Sequence, residues 1–315
     1  MEASDPRAAS RLLLLDSASL YFRAFFGVPD RRSPAGVPIN AVTGFLDMIA
    51  TLVDREEPTD LVCCWDNDWR PAFRVQAIPT YKTHRLKDGS EVQEESPENL
   101  TPQVPVIREV LAAIGLCRLG IDGYEADDVI GTLVQHRLGE MPIDVVTGDR
   151  DLFQLVDDQQ DVRVLYTAKG GVREPDLVDQ SFLQAKYAVP TGAAYADMAA
   201  LRGDTSDGLP GVPGVGEKTA AQLIARYGDL AGLRAAIDSG DPEIKGARRA
   251  KLEAASDYLD VAPAVVNVVR DAQLPTDLDT ALPRAIADPE RLDELVEEFG
   301  IGSSVGRLTS ALGLG

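Results

Sequence analysis

The sequence predicts an α/β protein built on a mainly parallel central sheet flanked by helices, and three observations carry that reading. Leu12 to Leu15 and Leu61 to Trp65 are short, continuous apolar runs of the kind found in strands covered on both faces, and Ile143 to Val146, apolar but for Asp144, reads as a third short buried strand. Helical patterns alternate with them, as βαβ units require. Each run also stops at, or shortly before, an aspartate: Asp16, Asp66 and Asp149. Open parallel sheets bind their ligands beyond the carboxyl ends of the strands, so three acids on that one edge point to a shared site.

Taken in order, residues 1–10 (MEASDPRAAS) read as a disordered leader before the first strand. A helix is expected near Ala41 to Val53, with Val42, Phe45, Leu46 and Ile49 on one face. From Trp69 to Lys87 the chain is basic, carrying Arg70, Arg74, Lys82, Arg85 and Lys87 with no acid. Residues 88–105 hold three prolines and little periodicity and read as a mobile or partly helical excursion. Val106 to Ile114 resumes a helix, ended by Gly115. Glu125, Asp127 and Asp128 then open an amphipathic helix whose stripe is Val129, Ile130, Leu133 and Val134. Asp149 and Asp151 follow the third strand. Val162 to Tyr166 reads as a further strand closed by the turn residues Lys169-Gly170-Gly171, with helices from about Pro175 onward ending the sheet. Asp204 and Asp207 lie three apart around a turn. Behind them Gly211, Gly214 and Gly216 form a glycine hairpin that enters a helix at Lys218-Thr219, its apolar face made by Ala220, Leu223, Ile224 and Tyr227.

At 315 residues the chain is long enough for one large or two modest domains, and 44% hydrophobic content indicates a globular protein. No apolar run approaches the roughly 20 residues of a membrane span. Leu12 to Leu15 is too short for a signal-peptide core, so a cytoplasmic protein is expected. Cys63, Cys64 and Cys117 have neither disulfide nor zinc spacing. The net charge of −20 argues, as a sum, against nucleic acid. Its distribution argues otherwise, because an acidic centre is flanked by the basic run before residue 88 and by Lys245, Arg248, Arg249 and Lys251.

Gathered carboxylates repel one another unless a proton or cation intervenes, and hard divalent ions bound through oxygen are the natural partner. The glycine hairpin is not a dinucleotide fingerprint, since a polar, turn-rich segment rather than a strand precedes it. Bare backbone N–H groups at a helix start can instead hold a phosphate, as in a helix-hairpin-helix that grips a DNA backbone. A phosphatase with an aspartate nucleophile would need a second Asp two residues after Asp16, where Ala18 stands.

In these residues the chain resembles the 5′ nuclease family of flap endonucleases and the 5′ to 3′ exonuclease domain of bacterial DNA polymerase I. The segments GYEADDVIGTL, TGDRDLFQL, LRGDTSDGLPGVPGVGEKTA and FRVQAIPTYKTHR carry the likeness, which runs from Leu12 to about Leu312. The resemblance implies a PIN-like nuclease core over 11–192, with a helical arch at about 78–105. It also implies a helix-hairpin-helix DNA-binding region over 193–265 and a C-terminal helical segment over 266–315 packed on the core. It assigns Asp16, Asp66, Glu125, Asp127, Asp128, Asp149, Asp151, Asp204 and Asp207 to two or three Mg²⁺ or Mn²⁺ ions. Lys82 and Arg85 fall on the arch cations, and Phe22 and Arg23, with Tyr21 as a substitute for the aromatic, on contacts to the reacting nucleotide. Arg74 and the hairpin from Gly211 to Thr219 fall on DNA contacts, the hairpin with a K⁺ site. The implied partner is DNA with 5′ flaps, nicks or 5′ ends, RNA-primed ends included, cut by a monomer with its polymerase on a separate chain. A noncatalytic branched-DNA binder of the same fold is the alternative. Two departures stand out: Asp16-Ser17 replaces the family's Asp-Gly, and Ser206-Asp207-Gly208 replaces its Ser-Asp-Asn, which predicts a looser loop.

Overall fold

The computed structural model describes residues 10–90 and 93–315, so the leader expected over 1–10 lies, but for Ser10, outside the described residues. The first half runs β1 (Leu12–Asp16), α1 (Ser17–Gly27), α2 (Asn40–Glu56), β2 (Asp60–Trp65), α3 (Ala72–Ala77), α4 (Gln103–Ile114), β3 (Cys117–Gly120), α5 (Ala126–Arg137) and β4 (Ile143–Thr147). It continues with β5 (Val162–Gly170), β6 (Glu174–Val178), α6 (Gln180–Tyr187), α7 (Gly192–Arg202), α8 (Glu217–Tyr227), α9 (Leu230–Asp238), α10 (Gly246–Ala254), α11 (Ser256–Val266), α12 (Pro289–Phe299) and α13 (Gly302–Ala311). No described helix is long and apolar enough to cross a membrane.

The sheet order is β3-β2-β1-β4-β5-β6, parallel except for the β5–β6 hairpin. β1 lies at its centre, with Leu12 opposite both Asp60 and Ile143. Its leucines are all fully buried, but they serve two cores. Leu12 and Leu14 face α5 and the helices of the second half, whereas Leu13 and Leu15 face α1, α2, α4, α12 and α13. Alternating side chains buried on both faces are what a doubly covered sheet demands, which is why the run is uninterrupted leucine.

The structure differs from expectation at three places. β3 is an unforeseen strand, only four residues long and half-exposed at the sheet edge. β6 extends the sheet past Pro175, where helices were expected. A proline is tolerated there because the strand is an edge with one partner. The segment expected as a helical arch holds, among its described residues before α4, one short 3₁₀ turn at Thr83–Arg85 and no α-helix. Instead Leu86 pairs with Glu94, and the Lys87 and Glu95 amides donate to the Gln93 and Arg85 carbonyls, so residues 85–87 run antiparallel beside residues 93–95. Pro97 and Pro102 suit such a path.

Candidate active site

The strand ends deliver the acids. Asp16 closes β1 and caps α1, accepting from the Ser19 amide at 3.1 Å and from the Thr147 hydroxyl at 2.7 Å. Its neighbour Ser17 is buried at the first position of α1. Asp66 follows β2 and accepts from the Ala126 amide at 2.9 Å, tying that strand end to the start of α5. Asp149 lies beyond β4 and accepts from the Asp151 amide at 3.0 Å.

Asp16, Asp66, Glu125, Asp127 and Asp149 line one pocket of about 440 Å³ with Lys82, Arg85, Tyr21 and Phe22. Asp151, Asp204 and Asp207 stand beside it and are sensed through Asp149 and one another. Burial and the charges of Asp66 and Asp149 push the Asp16 carboxyl up from 3.8 to about 7. Burial, then Asp16 and Asp149, hold Asp127 well above the ordinary range, and burial, then Asp149, Asp207 and Asp204, do the same to Asp151. Among the described residues no three of these side chains form a ready-made ligand set. Yet oxygen donors whose ionisation is opposed by burial and by each other suit a divalent cation, which removes both penalties when it binds. Asp16, Asp66, Glu125, Asp127 and Asp149 would hold one group of ions, and Asp151, Asp204 and Asp207, next to Asp149, would complete it.

The basic side chains divide. Lys82 is buried, in left-handed backbone at φ 50°, with its Nζ on Glu125. Burial works against its charge, but Glu125, Tyr81 and Asp207 together more than offset that and hold the ammonium well above its ordinary range. Arg85 reaches Asp207 at 2.8 Å with its side chain 36% exposed. Arg74 corrects an expectation. It is 2% exposed and paired with Glu125 and Asp128, so it has no free face for DNA. The same pairing corrects Asp128, whose two oxygens are taken up inside the protein and do not face the pocket. Arg23 lies outside the pocket wall, donating to the Ala168 carbonyl at 3.3 Å.

Both tryptophans of the chain, Trp65 and Trp69, also line the pocket, and sequence reasoning passed over them. Trp65 packs on Tyr21, which stacks on Phe22, so one wall is aromatic. The available signal was position, since the two residues flank Asp66 within five positions.

The loop after α7 is not loose. The Lys82 amide donates to the Asp207 carbonyl at 3.0 Å and the Thr80 hydroxyl to the Gly208 carbonyl at 2.9 Å. Gly208 has φ 73°, and a Cβ there would overlap the Thr80 carbonyl oxygen. Glycine suits this position because the basic segment passes this close. Gly208→Ala is therefore expected to cost roughly 1–3 kcal/mol of stability and to slow turnover by displacing Lys82, as thermal melts and initial rates would show.

The hairpin at Gly211 and Gly214 has φ of 64° and 78°. Gly211 is buried, whereas Gly214, Gly216 and Lys218 are exposed. Gly216 precedes α8, whose first amides carry no side-chain cap. Thr219 is half-buried on the first turn of α8. Lys251 of the second basic cluster approaches Gly214, bringing another cation to the hairpin.

A parallel sheet with acids and buried cations at its carboxyl edge, and a glycine hairpin beside them, defines an enzyme that hydrolyses phosphodiesters. Residues 11–188 match the family model for the 5'-3' exonuclease N-terminal resolvase-like domain, and 190–289 the model for the 5'-3' exonuclease C-terminal SAM fold. A 5'-3' exonuclease of Streptomyces coelicolor is 54% identical over 304 residues, covering 95% of this chain and 99% of the relative. One of Mycobacterium tuberculosis is 48% identical over 316 residues, covering 96% and 98%. The T5 D15 protein co-crystallised with metal ions shares the fold at a TM-score of 0.66 and 16% identity, covering 96% of this chain and 98% of its own. The chain belongs to the 5'-3' exonuclease family.

Proposed function

We propose that this 5′ nuclease cuts DNA at 5′ flaps, nicks and free 5′ ends, RNA-primed ends included, leaving 5′ phosphates. The observation that carries the reading is the pocket that joins six carboxylates, Glu94 among them, with two cations and an aromatic wall. Two or three Mg²⁺ or Mn²⁺ ions fit its acids; when bound, such ions supply an activated water and charge for the leaving 3′ oxygen. Lys82 and Arg85 would meet the charge that builds on the scissile phosphate. Tyr21 and Phe22, with the tryptophans behind them, offer ring faces to an unpaired base. The bare amides before α8, with Lys218, Thr219 and Lys251, would hold the duplex backbone, and the hairpin carbonyls a K⁺ ion. The setting we infer is Okazaki-fragment processing and repair in the cytoplasm, by a monomer that works beside a polymerase on another chain.

End-labelled 5′-flap duplex tests the reading. With Mg²⁺ or Mn²⁺ the protein is expected to cut near the flap junction, and with EDTA to bind without cutting. Tight binding without cleavage under every divalent ion would instead make it a branched-DNA binder.

A further inference from the structure

Arg74 sits in a clamp. Its Nη1 and Nη2 meet the two Asp128 oxygens at 2.7 and 2.6 Å, and Nη1 also meets Glu125 Oε2 at 2.6 Å. On its other side Nε donates to the Val265 carbonyl at 3.0 Å and Nη2 to the Asn267 carbonyl at 3.4 Å. Asp128 closes the loop by accepting from the Val269 amide at 2.8 Å and the Glu125 amide at 3.2 Å. Glu125 is left with Oε1 toward Lys82 and Oε2 shared between Arg74 and the Tyr81 hydroxyl, the latter at 2.7 Å. A small apolar cluster of Ile78, Tyr81, Leu209 and Val265 covers this arrangement.

We propose that Arg74 is a positioning residue for ion binding. By tying Asp128 and Glu125 to the chain at 265–269, it makes the pocket's hold on divalent ions depend on how the end of α11 is docked. Three features carry this. The guanidinium is buried, so it cannot reach a phosphate, and the work it does is internal. A planar fork meeting a carboxylate in two parallel bonds fixes direction as well as charge, and lysine cannot reproduce it. Finally, Glu125 lines the pocket, while Arg74 and Asp128, which hold it, are themselves bonded to the last turn of α11 and the residues just after it, so strain at either end is felt at the other. Outer partners of this kind commonly tune metal affinity by 10–100-fold. The proposal rests on the metal-dependent reading above.

The test compares Arg74→Lys with the unsubstituted protein in three measurements: Mn²⁺ titration by calorimetry without DNA, flap-duplex affinity in EDTA, and steady-state cleavage. Mn²⁺ affinity and kcat are each expected to fall about tenfold or more, while the affinity for duplex in EDTA and KM stay within about twofold. Weaker duplex binding with a shallower salt dependence, and unchanged Mn²⁺ affinity, would make Arg74 a DNA contact and overturn the proposal. Should Arg74→Lys not fold, hydrogen exchange on the unsubstituted protein decides. Mn²⁺ is expected to slow exchange of the Val269 amide, because coupling between two sites is reciprocal. Unchanged exchange there overturns the clamp. If the unsubstituted protein binds no divalent ion, the metal-dependent reading falls and takes this one with it; if it binds Mn²⁺ as tightly as Arg74→Lys does, only the clamp falls.

Discussion

Asp16→Asn protein is expected to cleave a 5′-flap duplex about a hundredfold more slowly or worse, and in EDTA at pH 8 to melt above the unsubstituted chain. The rate loss follows from removing an oxygen that ions in the pocket would use, equivalent to roughly 3 kcal/mol of transition-state stabilisation. The stability gain has a different origin. Asp16 is 6% exposed, and burial together with Asp66 and Asp149 lifts its carboxyl from 3.8 to about 7. A group that binds its proton more tightly when folded stabilises the fold below its unfolded value and loses that contribution as pH rises through the folded one. The metal-free protein should therefore become less stable between about pH 4 and 7, by on the order of 4 kcal/mol from this group. Asparagine can still accept from the Ser19 amide and carries no charge, so the pH dependence should flatten in the variant. Melting curves from pH 5 to 8 with EDTA check it, and equal pH slopes in the two proteins would refute the account.

The second large effect is expected from Lys82→Met. Its Nζ is buried against Glu125, whereas the Arg85 side chain is 36% exposed on Asp207. Breaking a buried pair strands the remaining charge, while exposed pairs contribute little. Lys82→Met should consequently lower the melting temperature more than Arg85→Met does. It should also cut kcat by about a hundredfold, since the cation that on the proposed reading would stand next to the scissile phosphate is lost. Flap-duplex affinity in EDTA should change by less than about threefold, because one cation among many phosphate contacts is a small share of the salt-dependent term. A loss in binding as large as the loss in kcat would show that Lys82 holds substrate and does not act on the transition state.

Much of this architecture was legible in the amino acids. β1 and β2 announce themselves as apolar runs and β4 as a short apolar strand broken only by Asp144, and the aspartates at or just past their ends mark the carboxyl edge without any knowledge of the fold. Elements that fail to show do so for physical reasons. β3 is Cys-Arg-Leu-Gly, too short for a period and half-exposed at an edge. β6 opens with Glu-Pro-Asp, a composition that suits a helix start as well as an edge strand. Within the site, Lys82 and Arg85 come beside the acids as their position suggests. Arg74 does not, because a basic stretch reads as surface and nothing local reveals that Asp128, more than fifty residues away, is its counter-ion. Asp128 misled for the same reason: three acids in one helical turn look alike in sequence, and only packing separates the one turned inward. Trp65 and Trp69 were passed over because aromatic residues beside a strand end are ordinary core until a cavity is seen beside them.

The central place of β1 bears on how the protein matures. Leu12 pairs with Asp60 on one side and with Ile143 on the other, so the sheet cannot close until the chain through β4 has been made. A growing chain can bring Asp16 near Asp66 early, but Asp149 joins them only with the last parallel insertion beside β1. Such distant pairings are slow to form and expose strand edges while they wait. The ion pocket is thus assembled late, and a half-made nuclease has no complete site with which to cut the cell's DNA.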